Sequence, residues 1–283
     1  MGIVSWANSP WGQSVPLHVA WALIWVAIIA GFFFMVVHTI YVAVVSPKHK
    51  PRLSPAEVAA TPERVPRHSL AARLFHWIMA LSMFALLITA FLPKVGVKFD
   101  WVMYHWIAGL LLTVSVLFHI FHASFALDFW SIWPDKADLR DAKYRVLRFF
   151  GKPAPKPERF AKYPLENKLY HGAVMLAGLA VIGTGLFMLK RVETPFFTRN
   201  PYLFSDFTWG AMYVLHGLAG VGFIALIMVH VYMGIRPEKL PITKSMIFGW
   251  MNRDFYLEEH DPRRWAVKGS AQKKRSLAAS DAD

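Results

Sequence analysis

Cysteine is absent from this 283-residue chain, and charge is scarce: Asp, Glu, Lys and Arg make up 17% of it, where a globular domain carries about 25%. Without cysteine there is no disulfide framework, no thiolate zinc site, no iron–sulfur cluster on the chain and no C-x-x-C-H attachment of a c-type haem. Any redox centre here is held by other ligands. Acidic residues are scarcer still, 18 against 31 Lys and Arg. Five stretches contain no charged residue at all: Leu17 to Val45, Leu74 to Leu92, Trp101 to Leu127, Leu169 to Leu189 and Phe207 to Ile235. As a helix at about 1.5 Å per residue, each can cross a hydrocarbon core roughly 30 Å thick. What the chain has in excess is apolar residues, 55% of the total, and together these features predict an all-α membrane protein with five spans.

The basic residues are unevenly placed. Twenty-six of the 31 Lys and Arg fall in 46–73, in 128–168 and in the tail from Arg236, whereas Lys94, Lys98, Lys190, Arg191 and Arg199 alone occupy the alternate connections. The positive-inside rule then puts the amino terminus on the periplasmic side and the carboxyl terminus in the cytoplasm of a bacterial inner membrane. The net charge of +13 is therefore a matter of topology, and no nucleic-acid partner is expected. No Lys or Arg precedes the first stretch, which is about twice as long as a signal-peptide apolar core, so it reads as a retained span. Residues 1–45 are thus an extra amino-terminal helix. The segment 46–70 holds five prolines and reads as an extended cytoplasmic linker. A four-helix core with its cytoplasmic tail covers 71–265, and 266–283 is small, polar and expected to be disordered. In 136–150 apolar and basic residues alternate, which suits either a helix lying on anionic lipid or a solvated loop with a short helix.

The chemistry lies in the histidines of the last four spans. His216 and His230 are fourteen residues apart, about 21 Å of helical rise and nearly four full turns, so both rings face almost the same way. His105 and His119 repeat that interval. Small residues follow one turn after several of these rings, with Gly109, Gly220, Gly234 and Ala80 giving clearance for a flat macrocycle between helices. A single membrane histidine is by default a hydrogen-bonded packing residue, which is the reading for His38, while His18, His49, His68 and His260 lie at interfaces or in loops. Spacing, common face and facing partners together point instead to two bis-imidazole b-type haems. By depth, His105 meets His216 near the outer side. At the inner side His230 meets His76, His119 or His171, and a symmetric scheme like that of the cytochrome b of quinol–cytochrome c reductases selects His119.

Several motifs in order resemble the dihaem cytochrome b (gamma) subunit of membrane-bound formate dehydrogenases, a group related to hydrogenase cytochrome b. They are Arg73-Leu74-Phe75-His76-Trp77, His105-Trp106-Ile107-Ala108-Gly109, Trp133-Pro134-Asp135-Lys136-Ala137-Asp138, Lys162-Tyr163, the helix from His216-x-x-x-Gly220 to His230-Val231-Tyr232-Met233, and His260-Asp261-Pro262-Arg263. The resemblance spans about Arg67 to Trp265. It implies haem-iron ligation by His105 with His216 and by His76 with His230, leaving His119 to line the inner haem or a quinone pocket. It also implies an electron path from a molybdenum or tungsten catalytic subunit through an iron–sulfur subunit to the outer haem, then the inner haem, then quinone. The family places an Asn and a Gln before the third core helix, where this chain has Pro164 and Asn167. Glu166, Asn167, Lys168 and His171 are the quinone-site candidates, or else they cap and anchor that helix. Arg67, Arg73, Arg236 and Lys244 are candidates for the inner propionates, or for lipid phosphate.

The expected function is a membrane anchor that carries electrons from an outer-face dehydrogenase of formate type to quinone, with no substrate-oxidising site on this chain. A hydrogenase-type or other molybdoenzyme cytochrome b is the alternative. A cofactor-free solute transporter is remote, because transporters place ionised residues within the membrane and all five spans lack them.

Overall fold

The computed structural model describes residues 2–45, 53–196 and 198–267. Its elements, in chain order, are β1 (Val4–Asn8), β2 (Ser14–Val19), α1 (Ala22–Val45), α2 (Pro55–Ala60), β3 (Arg64–Pro66), α3 (Leu70–Phe91), α4 (Trp101–Ala126), α5 (Lys136–Phe149), α6 (Leu165–Met188), α7 (Asp206–Ile235), α8 (Leu240–Phe248), β4 (Trp250–Asn252) and α9 (Arg253–Glu259). Five helices, α1, α3, α4, α6 and α7, are long and apolar enough to cross a membrane. Where no water is available, only a helix satisfies its own backbone, so charge-free runs of this length fold this way. Phe32, Leu81, Val114 and Leu176 stand exposed along the spans, as side chains facing lipid do. Four span hydroxyls are satisfied locally, with Ser82, Thr89, Thr113 and Thr184 each donating to a carbonyl one turn back.

The chain divides into two compact units. The first comprises Met1–Val44, Phe75–His119 and Gly172–Met233. It contains an antiparallel hairpin of β1 and β2, which pairs Val4 with Val19 and Asn8 with Ser14 through a bulge beside Trp6. The turn is closed by Ser9, whose backbone N–H donates to Gln13 O at 2.7 Å, and by Gly12 at φ +74°, a conformation that favours glycine. Leu17 to Val19 therefore belong to a strand, and the first span begins at Ala22 rather than Leu17. Helix α1 packs on α7 through a core of Val19, Ala27 and Val221, with Gly31 admitting Met228.

The second unit comprises Val45–Leu74, Ile120–His171 and Gly234–Asp283. The segment expected to be an extended linker contains α2 and β3. The latter pairs antiparallel with β4, Arg64 opposite Asn252 and Pro66 opposite Trp250. Val65, Met251, Tyr256, Leu257 and Val267 form the core there, and this apolar cluster orders a stretch whose prolines alone suggest none. Residues 46–52 of the linker and 268–283 of the tail lie outside the described residues. Helix α5 starts with a reciprocal cap: Asp135 accepts from the Asp138 N–H at 2.8 Å and Asp138 from the Asp135 N–H at 3.0 Å.

Candidate functional site

Four of the span histidines form two facing pairs within the first unit. His105, one turn into α4, faces His216 of α7 with ring centres 6.2 Å apart and planes at 63°. His76 of α3 faces His230 of α7 at the same 6.2 Å, with planes at 42°. Two imidazoles that both aim Nε2 at one metal across bonds of about 2 Å have ring centres roughly 6 Å apart.

The protons on the first pair can be assigned from hydrogen bonds. Thr89 Oγ1 donates its single hydrogen to Ala85 O at 2.7 Å, so it accepts from His105 Nδ1–H at 2.8 Å. Thr184 Oγ1 donates to Ala180 O at 2.5 Å and accepts from His216 Nδ1–H at 2.9 Å. With the proton on Nδ1, each ring in its neutral form offers the Nε2 lone pair. A Cβ built on Gly185 would lie 3.4 Å from His216 Cε1, so that glycine leaves the ring its room. In the second pair, His76 Nδ1 is buried and has no hydrogen-bond partner.

A cavity of about 1010 Å³ opens on the first pair, lined by His105, His216, Gly109, Gly185 and Gly220 among others. It lies at the upper end of the range for cofactor sites, roughly 300–1,000 Å³. His18, which its position suggests is solvated, lines this cavity too, donating Nδ1–H to Val19 O and stacking on Trp21. Among the described residues no three or more His, Cys, Asp or Glu side chains converge as a metal centre. A bare ion in either pair would keep two protein ligands. A haem brings its own equatorial nitrogens and needs only the two axial imidazoles that each pair supplies.

The remaining candidates lie elsewhere. His119 stacks on Phe75 at 4.3 Å with planes 6° apart. His38 donates Nδ1–H to Tyr232 Oη at 3.1 Å; Tyr232 donates to Thr39 Oγ1 at 2.8 Å, and Thr39 donates to Met35 O. This network fastens α1 beside the turn that carries His230. In the second unit Lys168 is buried in an ion pair with Asp138 at 2.5 Å, with Asp135 at 3.6 Å, whereas Glu166 and Asn167 are exposed and His171 is half-buried. Lys168 is thus tied to the cap of α5.

Of the basic residues considered for propionates, Arg67, Arg73 and Arg236 are engaged and Lys244 is exposed. Arg67 is buried between the rings of Tyr163 and Trp265 and donates to Lys162 O at 3.3 Å and to His260 Nε2 at 3.4 Å. His260 Nδ1–H donates to Ala161 O at 2.7 Å. Burial first, and then the Arg67 charge, push its pKa down to about 3. Arg73 donates to Ile247 O, and Arg236 pairs with Glu238. The motifs Lys162-Tyr163 and His260-Asp261-Pro262-Arg263 thus meet around one buried guanidinium.

No curated protein matches the chain. The family model of prokaryotic cytochrome b561 matches residues 67–249, which contain α3 to α8 and all four facing histidines. The histidine pairs, the five spans and this match agree: the chain belongs to the prokaryotic cytochrome b561 family, multi-pass membrane proteins that bind haem b and carry electrons.

Proposed function

We propose that this chain holds two haems b, ligated by His105 with His216 and by His76 with His230, and passes electrons from a periplasmic dehydrogenase to quinone. The observation that carries the reading is the pair of 6.2 Å ring separations at two levels of one helix, fourteen residues apart. Each haem iron, when bound, takes up and releases one electron. The chain's own groups hold the rings: Thr89 and Thr184 fix the Nδ1–H tautomer and leave Nε2 for the iron, and the apolar spans keep water from the crossing. Two levels about 21 Å apart along α7 divide the transfer across the membrane into steps.

The donor is a formate dehydrogenase with an iron–sulfur subunit and a molybdenum or tungsten catalytic subunit, a reading supported by the motif order from Arg73 to Arg263. Quinone is reduced at the cytoplasmic end of α6, where His171 and Asn167 remain as candidate contacts. Purification of the complex tests this directly. Two haems b per chain, co-purifying iron–sulfur and molybdenum or tungsten subunits, and oxidation of the haems by a quinone analogue are expected. One haem or none per chain contradicts the reading, and a co-purifying nickel hydrogenase replaces the donor.

A further inference from the structure

The cavity at His105 and His216 is built in part from residues that the family match does not include, since residues 1–66 lie outside the matched segment. Ala7, Pro16, Leu17 and His18 of the hairpin stand in its lining together with the two histidines. The hairpin lies directly on α7. Gly210 and Gly217 are seven residues apart on one face of that helix. A Cβ on Gly210 would collide with the Pro16 carbonyl, and one on Gly217 would come within 3.1 Å of Val19 Cγ2. Pro16 and Val19 are buried by this contact.

Three cations also line the cavity: Lys94, Arg191 and Arg199, with Asp206 as the one carboxylate. They are three of only five Lys and Arg placed on the cation-poor side of the chain, where topology gives no reason for them. Lys94 Nζ lies 4.1 Å from the ring centre of Trp21, just beyond the hairpin, and the Arg191 guanidinium lies 5.3 Å from Trp209 and 5.8 Å from Tyr213. Neither forms an ion pair with a carboxylate among the described residues. An apolar cavity with two facing imidazoles and unpaired cations at its edge complements a flat macrocycle bearing two carboxylates.

We propose that the amino-terminal hairpin is a wall of the outer haem site and that Lys94 and Arg191, held beside it on aromatic rings, pair with the two propionates. This rests on the two-haem reading. Four variants of the complex test it, with the haem absent from His216→Ala serving to identify the outer signal. Gly210→Val, which drives a side chain into the Pro16 carbonyl, and deletion of residues 2–20 are each expected to speed loss of the outer haem to a haem scavenger at least tenfold. The inner haem keeps its rate. Lys94→Gln and Arg191→Gln each lower the midpoint potential of the outer haem, changing its ferrous-to-ferric ratio at fixed potential by about threefold to tenfold, because a lost positive charge disfavours the added electron. Unchanged scavenging in both hairpin variants, or unchanged potentials in both cation variants as for lysines that reach lipid phosphate, overturns the proposal. A wild-type chain that purifies with fewer than two haems overturns the two-haem reading instead.

Discussion

Thr89 and Thr184 each have one hydroxyl proton, and in both it goes to a backbone carbonyl, so each oxygen accepts from a histidine Nδ1–H. A neutral acceptor holds the ring and adds some basicity to the bound nitrogen. Thr89→Val or Thr184→Val therefore weakens the donor strength of its imidazole, and the outer haem's potential should rise by a few tens of millivolts, where about 59 mV is tenfold for one electron. Redox titration measures this, and a fall in potential contradicts it. These threonines were not legible in the sequence: they lie sixteen and thirty-two residues from their histidines, on other helices, and a membrane threonine reads as a back-bonder. The histidines were legible because an interval of fourteen leaves a face-specific pattern. His260 gives a pH dependence. With its folded pKa lowered to about 3, the unfolded chain binds the proton more readily between about pH 6.5 and pH 3, so stability is full above that window and falls as pH drops through it. A loss of about 2 kcal/mol at pH 5 is expected, read as a lower melting midpoint that His260→Gln does not share.

At the scale of elements, α3, α4, α6 and α7 follow from charge-free runs bounded by charged or proline residues, whereas the hairpin does not. Its alternation, Val4 and Trp6 against Val15, Leu17 and Val19 around Pro10 to Gly12, is a strand signal hidden by an apolar run that continues into α1. The second unit is not legible for another reason: β3 pairs with β4 and Arg67 reaches His260 across nearly two hundred residues, contacts that local pattern does not encode. Lys168 shows the consequence. It was a candidate quinone contact by position, but α5 occupies it through Asp138. Lys168→Met takes the nearest cation from that buried carboxylate and leaves it Arg264 at 3.6 Å, so it should cost about 1–3 kcal/mol, seen as a lower melting midpoint. Asp138→Leu in the same background should restore part of it, and no recovery would place the cost elsewhere.

For the whole molecule, the proposed direction of the electron path rests on five spans with an excess of Lys and Arg on alternate connections. Reporter fusions within 46–70 and after Asp283 should report the cytoplasm, and fusions near Lys94 and Arg199 the periplasm; a cytoplasmic signal near Lys94 would reverse the path. The central claim is that two histidine pairs, each with one member on α7, hold two separate haems. The most direct measurement is a haem count and low-temperature spectrum of purified single variants. His105→Ala and His216→Ala should each lose one haem and keep the other. His76→Ala and His230→Ala should lose the second, and His119→Ala, which removes a ring stacked on Phe75, should keep both. Loss of the second haem in His119→Ala with its retention in His76→Ala would contradict the pairing, and two haems retained in every variant would contradict the site itself.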